Sequence, residues 1–195
     1  MARWTPDQRA TLDAIVDEFV SNNRRGRRLL AVQGAGAAQF ADLLAARFTA
    51  RDEAAVRASM SSFLRPRSER GASGVDPVDD QQRSAWDVDR FRRYLVEPFR
   101  LRDGAGFVLA VYSDVDDADV ELRWTSAPDS AVLIVDGDPV GGPALRGIWH
   151  ARIWLDPVDA GGAAKKELAA QRATATILVN NTDPAVPRRI FADSC

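Results

Sequence analysis

Apolar residues recur at every third or fourth position early in the chain, at Leu12, Ile15, Val16, Phe19 and Val20. That spacing predicts a helix with one buried face. Thr5 can cap it, Pro6 suits its first position and Gln8 completes a capping box, while Ser21, Asn22, Asn23 and Gly26 end it. Residues 29–32 form a short unbroken apolar run, the pattern of a strand covered on both faces. The turn Gln33-Gly34-Ala35-Gly36 follows, and Phe40, Leu43, Leu44 and Phe48 give the next helix its buried stripe. Residues 54–58 predict a second strand, ending at Ser59.

From residue 61 to 85 Arg, Ser, Gly, Pro and Asp displace the apolar periodicity, and a long polar loop is expected. Asp87 then opens a helix over Phe91, Tyr94 and Leu95 that Pro98 should stop. Gly104 and Gly106 mark a turn, residues 107–112 read as a strand, and 113–119 as an acidic loop. Residues 131–135 give the cleanest buried strand, ended by Asp136-Gly137. A short helix is expected over 144–148 and a strand over 152–155. Gly161 and Gly162 precede a helix burying Leu168 and Ala169, and 176–179 form the last strand. Strands alternating with helices predict an α/β fold in three layers, a parallel sheet of about five strands with helices on both faces. Ligands in such sheets sit at the carboxyl ends of the strands, so the turns after Val32, Ser59, Val111 and Val135 should share one rim.

The chain has 195 residues, 46% hydrophobic and 28% charged, which fits one domain spanning 1–195. Its formal net charge of -2 gives no field to recruit nucleic acid or anionic lipid. The basic cluster at 24–28 reads as a solvated loop rather than an anion site. Cys195 is the single cysteine, and no segment resembles a signal peptide or an apolar span, so a cytoplasmic location is expected. No Cys/His cluster supports a zinc site, and no metal site is expected. Ser61 and Ser62 could be nucleophiles, but the one histidine, His150, lies at a strand start with no reason to be near them. The five tryptophans read mostly as core or interface anchors.

The candidate chemistry lies in residues 28–46, RLLAVQGAGAAQFADLLAA, where an apolar strand passes through a small-residue turn into a helix. That is the layout of a phosphate-binding loop, which reads G-x-x-x-x-G-K-[ST]. Here Ala37 and Ala38 follow Gly36 where the Lys and the hydroxyl belong. Gly34 and Gly36 serve either a tight packing turn or a ligand. Asp136 is either a residual metal ligand or a cap for the next turn, and Asp87 is either an N-cap or part of a pocket.

With these residues placed, the chain resembles the uridine kinase family of P-loop NTPases, especially its bacterial uridine-kinase-like branch. AVQGAGAAQFADLLAA is similar to that branch's first strand, phosphate loop and helix. VRASMSSFLRPR resembles the segment after strand two, SAWDVDRFRRYLVEPF the helix after the substrate loop, VLIVDGDPVGGPALRGIWHARIWLD the Walker-B-type strand and its sequel, and NNTDPAVP the closing Asn-Thr-Asp-Pro turn. The resemblance implies a phosphate-loop equivalent at Gly34, Gly36, Ala37, Ala38 and Gln39, a Walker-B-like acid at Asp136, and a nucleoside-pocket equivalent at Arg65, Asp87 and Tyr112. The departures fall on the chemistry. The loop is about three residues short, Ser61 stands where the family has its catalytic Asp, and Ser113 replaces another acid. The lid equivalent, 156–171, is short, with Lys165, Lys166 and Arg172 as its cations.

Three readings follow. The first is a pseudokinase that binds or scaffolds, with no cofactor, an unknown partner and at most weak anion or nucleotide binding at the amides of Gly36, Ala37 and Ala38. The second is an active ATP- and Mg²⁺-dependent nucleoside or small-molecule kinase in which Arg65, Arg67 or the 24–28 cluster replaces the Lys. The third is a homo-oligomeric structural protein with no small ligand.

Overall fold

The computed structural model describes residues 4–70, 85–101, 106–156, 169 and 171–191. Helix α1 (Pro6–Asn22) begins at the expected capping box, with the Thr5 hydroxyl accepting from the Gln8 N–H and the Gln8 side chain accepting from the Thr5 N–H. The Thr5 hydroxyl and the Gln8 amide also donate to the carbonyls of Ala185 and Pro184, tying the helix start to the closing turn. Strand β1 (Arg28–Gly34) is buried along almost its whole length and leads into α2 (Ala37–Thr49), and β2 (Ala55–Ser59) follows. Strands β3 (Phe107–Val108), β4 (Tyr112–Ser113), β5 (Ala118–Asp119) and β6 (Trp124–Thr125) are short. The main sheet resumes with β7 (Val132–Asp136), β8 (Ala151–Asp156), β9 (Ile177–Asn180) and β10 (Arg188–Ile190).

The sheet order is β10-β9-β8-β1-β7-β2. Five strands run parallel, as expected, and β10 adds an antiparallel edge beside β9. Its Arg188-Arg189-Ile190 pattern is too short and polar to signal a strand locally. β1 lies between the third and fourth parallel strands in chain order, so its carboxyl end is the switch point where a ligand crevice forms. Alternate side chains go to opposite layers. Leu30 and Val32 join Val132 and Ile134 against α1 and α2, while Leu29 and Ala31 join Leu133 and Val135 against Phe91, Leu95 and Phe99.

Several expectations are corrected. Residues 107–112 do not form one strand of the main sheet. β3 pairs antiparallel with β6, and β4 with β5, because the chain turns back on itself before a long strand can form. Val111 therefore does not stand in the parallel rim, although its N–H donates to the Ser62 carbonyl. Pro98 does not stop the third helix, α3, which is α-helical over Val88–Phe91, π-helical over Arg92–Val96 and α-helical again over Glu97–Arg100. The wider π turn lies directly before the proline, which supplies no N–H and crowds the preceding turn. The 61–85 loop begins with 3₁₀ turns at Met60–Phe63 and Arg67–Glu69, and residues 71–84 lie outside the described residues. Two 3₁₀ turns, Asp138–Gly141 and Pro143–Leu145, replace the helix expected over 144–148. Ala169 is exposed, not buried, and Leu168, Gly104, Gly161, Gly162, Lys165, Lys166 and Cys195 lie outside the described residues.

The basic cluster is the largest correction. Arg27 and Arg28 are buried, at 6% and 3% exposure. Arg27 donates to the carbonyls of Phe99, Leu101 and Ala127, and Arg28 to those of Asn23 and Ser130 and to Glu53. They satisfy carbonyls at the amino end of β1, at the far end of the sheet from the candidate rim.

His150, also at that end, accepts the Leu29 N–H at Nδ1, at 3.0 Å. Burial and the guanidiniums of Arg100 and Arg28 hold it below its ordinary value of 6.5. Its neutral form is thus favoured by folding. The associated stability is full above about pH 6.5 and declines as pH falls from there through the depressed folded value. A proton NMR titration should place its midpoint below 6.5, and a midpoint above would refute the assignment.

Candidate functional site

The turn after β1 is built from close approaches. Gly34 has φ +101°, and a Cβ there would stand 2.2 Å from the Leu155 carbonyl oxygen on β8. Only glycine fits both the backbone angle and the contact. The Ala35 N–H points to the same Leu155 oxygen at 3.4 Å, and the buried Asn181 amide donates to the Ala35 carbonyl at 3.1 Å. Gly36, φ +74°, caps α2 without a side chain. Ala37 is buried, while Ala38 and Gln39 are exposed. Gly34→Ala should therefore cost about 2 kcal/mol, the strain of a disfavoured φ with a displaced strand end. A urea titration checks this, and unchanged stability would mean the turn is free to move.

Gln33, the last buried side chain of β1, bridges the loops around this turn. Its Nε2 donates to the Asp138 carbonyl at 2.8 Å and to the Gln171 Oε1 at 2.5 Å. A Cβ on Gly141 would stand 2.5 Å from the Gln33 Oε1, so that glycine makes room for the amide. On β8, Asp156 receives two hydrogen bonds from Arg172, which raise that guanidinium's pKa, and another from the Trp154 indole N–H. Polar side chains from the segments after β7, β8 and β9 thus converge over the turn.

Asp136 ends β7 opposite Val32 on β1 and Ser59 on β2, so the parallel register places it on the rim. Its Oδ1 lies 2.6 Å from the Arg57 Nη2. The same guanidinium donates to Asp42 at 2.9 Å and to the Ala38 carbonyl at 3.2 Å, both on α2. One β2 side chain thus joins the acid at the end of β7 to the first turns of α2. Sequence reasoning passed over Arg57; the available signal was a charged residue in the middle of a predicted strand, which requires a partner if it is covered. Exposed Asp138, nearby, is shifted upward by desolvation and by Asp136. Two carboxylates, at positions 42 and 136, therefore share one guanidinium, and Asp138 adds a third negative charge beside Asp136.

Ser61 lies just past the end of β2, with its hydroxyl 2.9 Å from that of Ser59. His150 is at the opposite end of the sheet, so these serines have no imidazole base. Arg65, Asp87 and Tyr112 lie farther along the same side, around the bridge that pairs Leu64 with Trp86. The Arg65 N–H donates to the Ala85 carbonyl, and its own carbonyl accepts from Arg70. Asp87 is an N-cap, accepting the Arg90 N–H at 2.9 Å. The Tyr112 hydroxyl donates to Asp117, and the Arg70 guanidinium lies 5.4 Å from the tyrosine ring centre. Desolvation and that hydrogen bond raise Tyr112, while the Arg67 N–H and the Tyr112 hydroxyl lower Asp117. Arg65, Asp87 and Tyr112 are thus each bonded to other residues, at Ala85 and Arg70, Arg90, and Asp117. Among the described residues no group of three or more His, Cys, Asp and Glu is arranged to hold a metal ion, and no helix is long and apolar enough to cross a membrane.

No protein-family model matches the chain, and no curated protein matches it. Solved structures share its fold. A possible uridine kinase from Bacillus stearothermophilus superposes with a TM-score of 0.70 at 16% identity, covering 87% of this chain and 97% of that one. A candidate fructose transport system kinase from Silicibacter sp. TM1040 gives 0.58 at 20% identity, over 90% and 86% of the two chains. D-glycerate 3-kinase from Cryptococcus neoformans var. grubii serotype A gives 0.56 at 11%, over 76% and 73%. The α/β fold with its parallel sheet is that of these P-loop kinase-like structures.

Proposed function

We propose that this chain uses a P-loop-kinase fold for binding or scaffolding and does not carry out efficient ATP-dependent phosphoryl transfer. The observation that carries the reading is the Arg57–Asp136 contact. The acid at the end of β7, the natural ligand for a nucleotide's divalent cation, is paired with a guanidinium from the next strand. Ala37 and Ala38 supply neither an ammonium nor a hydroxyl to take over. Arg57 itself is shared between Asp136, Asp42 and the Ala38 carbonyl, so it is not available to offset a triphosphate. This donor set does not fit Mg·ATP. Phosphoryl transfer depends on positioning and charge stabilisation, and loss of a single electrostatic donor costs on the order of 10²–10³ in rate.

Of the cations that an active kinase would recruit in compensation, Arg27, Arg28 and Arg67 are engaged elsewhere. Arg27 and Arg28 are buried at the other end of the sheet, and the Arg67 guanidinium meets Asp114. What remains at the rim is the amino end of α2, which suits weak anion binding. Isothermal titration with Mg·ATP tests the reading. No binding tighter than about 1 mM is expected, with no difference between Mg²⁺ and EDTA. A Mg²⁺-dependent micromolar site, or turnover over a nucleoside panel, would overturn it.

A further inference from the structure

A second charged cleft lies at the amino ends of β8 and β9, across the sheet from the turn after β1. It encloses about 240 Å³ and is lined by Arg146, Trp149, Arg152, Thr174 and Thr176, among others. Two guanidiniums share it, and among the described residues no carboxylate pairs with either. Elsewhere in the molecule clustered arginines meet acids, as Arg47 and Arg51 do at Asp13 and Arg67 and Arg70 at Asp114. Two cations held together without an anion repel one another, a cost that an anionic ligand removes. Arg152 is shifted downward by burial and by Arg146, in keeping with that repulsion.

The other donors are already engaged. The Thr176 hydroxyl donates to the Arg152 carbonyl and accepts its N–H, the Thr174 hydroxyl donates to the Gln171 carbonyl, and the Trp149 indole N–H donates to Val140. Arg152 is positioned by these bonds and by its own contact with the Thr174 carbonyl. The cleft therefore offers the Arg146 fork, the remaining N–H groups of Arg152 and an indole surface. A fork matches the oxygens of phosphate or carboxylate in pairs, and arginine stacks and pairs where lysine does not. Two guanidinium charges match a dianion better than a monoanion. The volume is below the usual range for drug-sized ligands, so a small molecule is indicated.

We propose that the Arg146–Arg152 cleft binds the phosphate group of a small phosphomonoester whose organic part rests on Trp149. This site is independent of the reading given for the β1–α2 turn, and either can fail without the other.

The test is isothermal titration of the full chain with phenyl phosphate, inorganic phosphate and benzoate, each to about 10 mM, so that millimolar dissociation constants are covered. Phenyl phosphate should bind at least tenfold more tightly than benzoate, and more tightly than inorganic phosphate. Arg146→Gln should weaken phenyl phosphate at least tenfold. Arg146 is exposed and makes no hydrogen bond that shapes the backbone, so this variant should fold, which its circular dichroism melt would verify. Arg188→Gln, on β10 opposite the carboxyl end of β9, should leave binding unchanged. Absence of binding by the wild type, equal binding of benzoate, or undiminished binding by Arg146→Gln would each overturn the proposal.

Discussion

Arg27→Met is expected to lower the unfolding free energy by about 3–5 kcal/mol, the range for breaking a buried charged network. The guanidinium donates to three carbonyls, Phe99 at 3.0 Å, Leu101 at 2.8 Å and Ala127 at 2.6 Å. It also lies 5.4 Å from the Phe99 ring centre. These carbonyls belong to the end of α3 and to the approach to β7, so one side chain fastens both to the base of β1. Methionine fills much of the stem's volume but leaves the carbonyls without donors, at about 1–3 kcal/mol for each one that water cannot reach. The Asp129 carboxylate, 3.9 Å away and largely exposed, contributes little. Urea unfolding measures the effect. A loss below about 1 kcal/mol would mean that water replaces the guanidinium and that the cluster is the solvated loop its sequence suggests.

Arg57→Leu is expected to cost about 2–4 kcal/mol, because it leaves the Asp136 carboxylate buried without its cation and releases Asp42 and the Ala38 carbonyl. The side chain of Arg57 is 24% exposed and that of Asp136 9%, which places the value below that for a fully enclosed pair. The double variant Arg57→Leu/Asp136→Asn should recover most of the loss, since it removes the stranded charge as well as its partner. The coupling in the double-mutant cycle should exceed about 1 kcal/mol. The same variants separate the functional readings. If Arg57 were a stand-in for the missing lysine, Arg57→Leu would abolish a measurable ATP turnover. In the binding or scaffolding reading there is no turnover to abolish and the effect is confined to stability. Additive single losses would show that the pair does not hold the rim together.

How far the sequence carried depends on how local each signal was. The Thr5–Gln8 capping box, the buried faces of α1 and α2 and the five parallel strands were readable because caps and periodicity act within one or two turns of chain. The rim followed from strand alternation alone, and Gly34, Gly36, Ser61 and Asp136 all lie along it. β10 was not readable, since a short polar edge strand is defined by the neighbour it pairs with. The 107–112 stretch was misread as one strand of the sheet because apolar character does not say where a chain folds back. Pro98 was misread as a stop because a π turn absorbs its missing donor only when the surrounding core favours continuing the helix.

The amino-acid sequence by itself determined the order of the main helices and parallel strands, the buried faces of α1 and α2, and the lack of a lysine and a hydroxyl at the start of α2. The tertiary structure decided what the polar and charged residues do: Arg57 closing on Asp136, Arg27 and Arg28 tying carbonyls beneath the sheet, Gln33 reaching Gln171, and Arg146 and Arg152 lining one cleft. Apolar burial is a property each residue carries along its own element. The role of a charge is set by whichever opposite or like charge the fold brings within a few ångströms, and those partners lie up to 171 positions away in the chain.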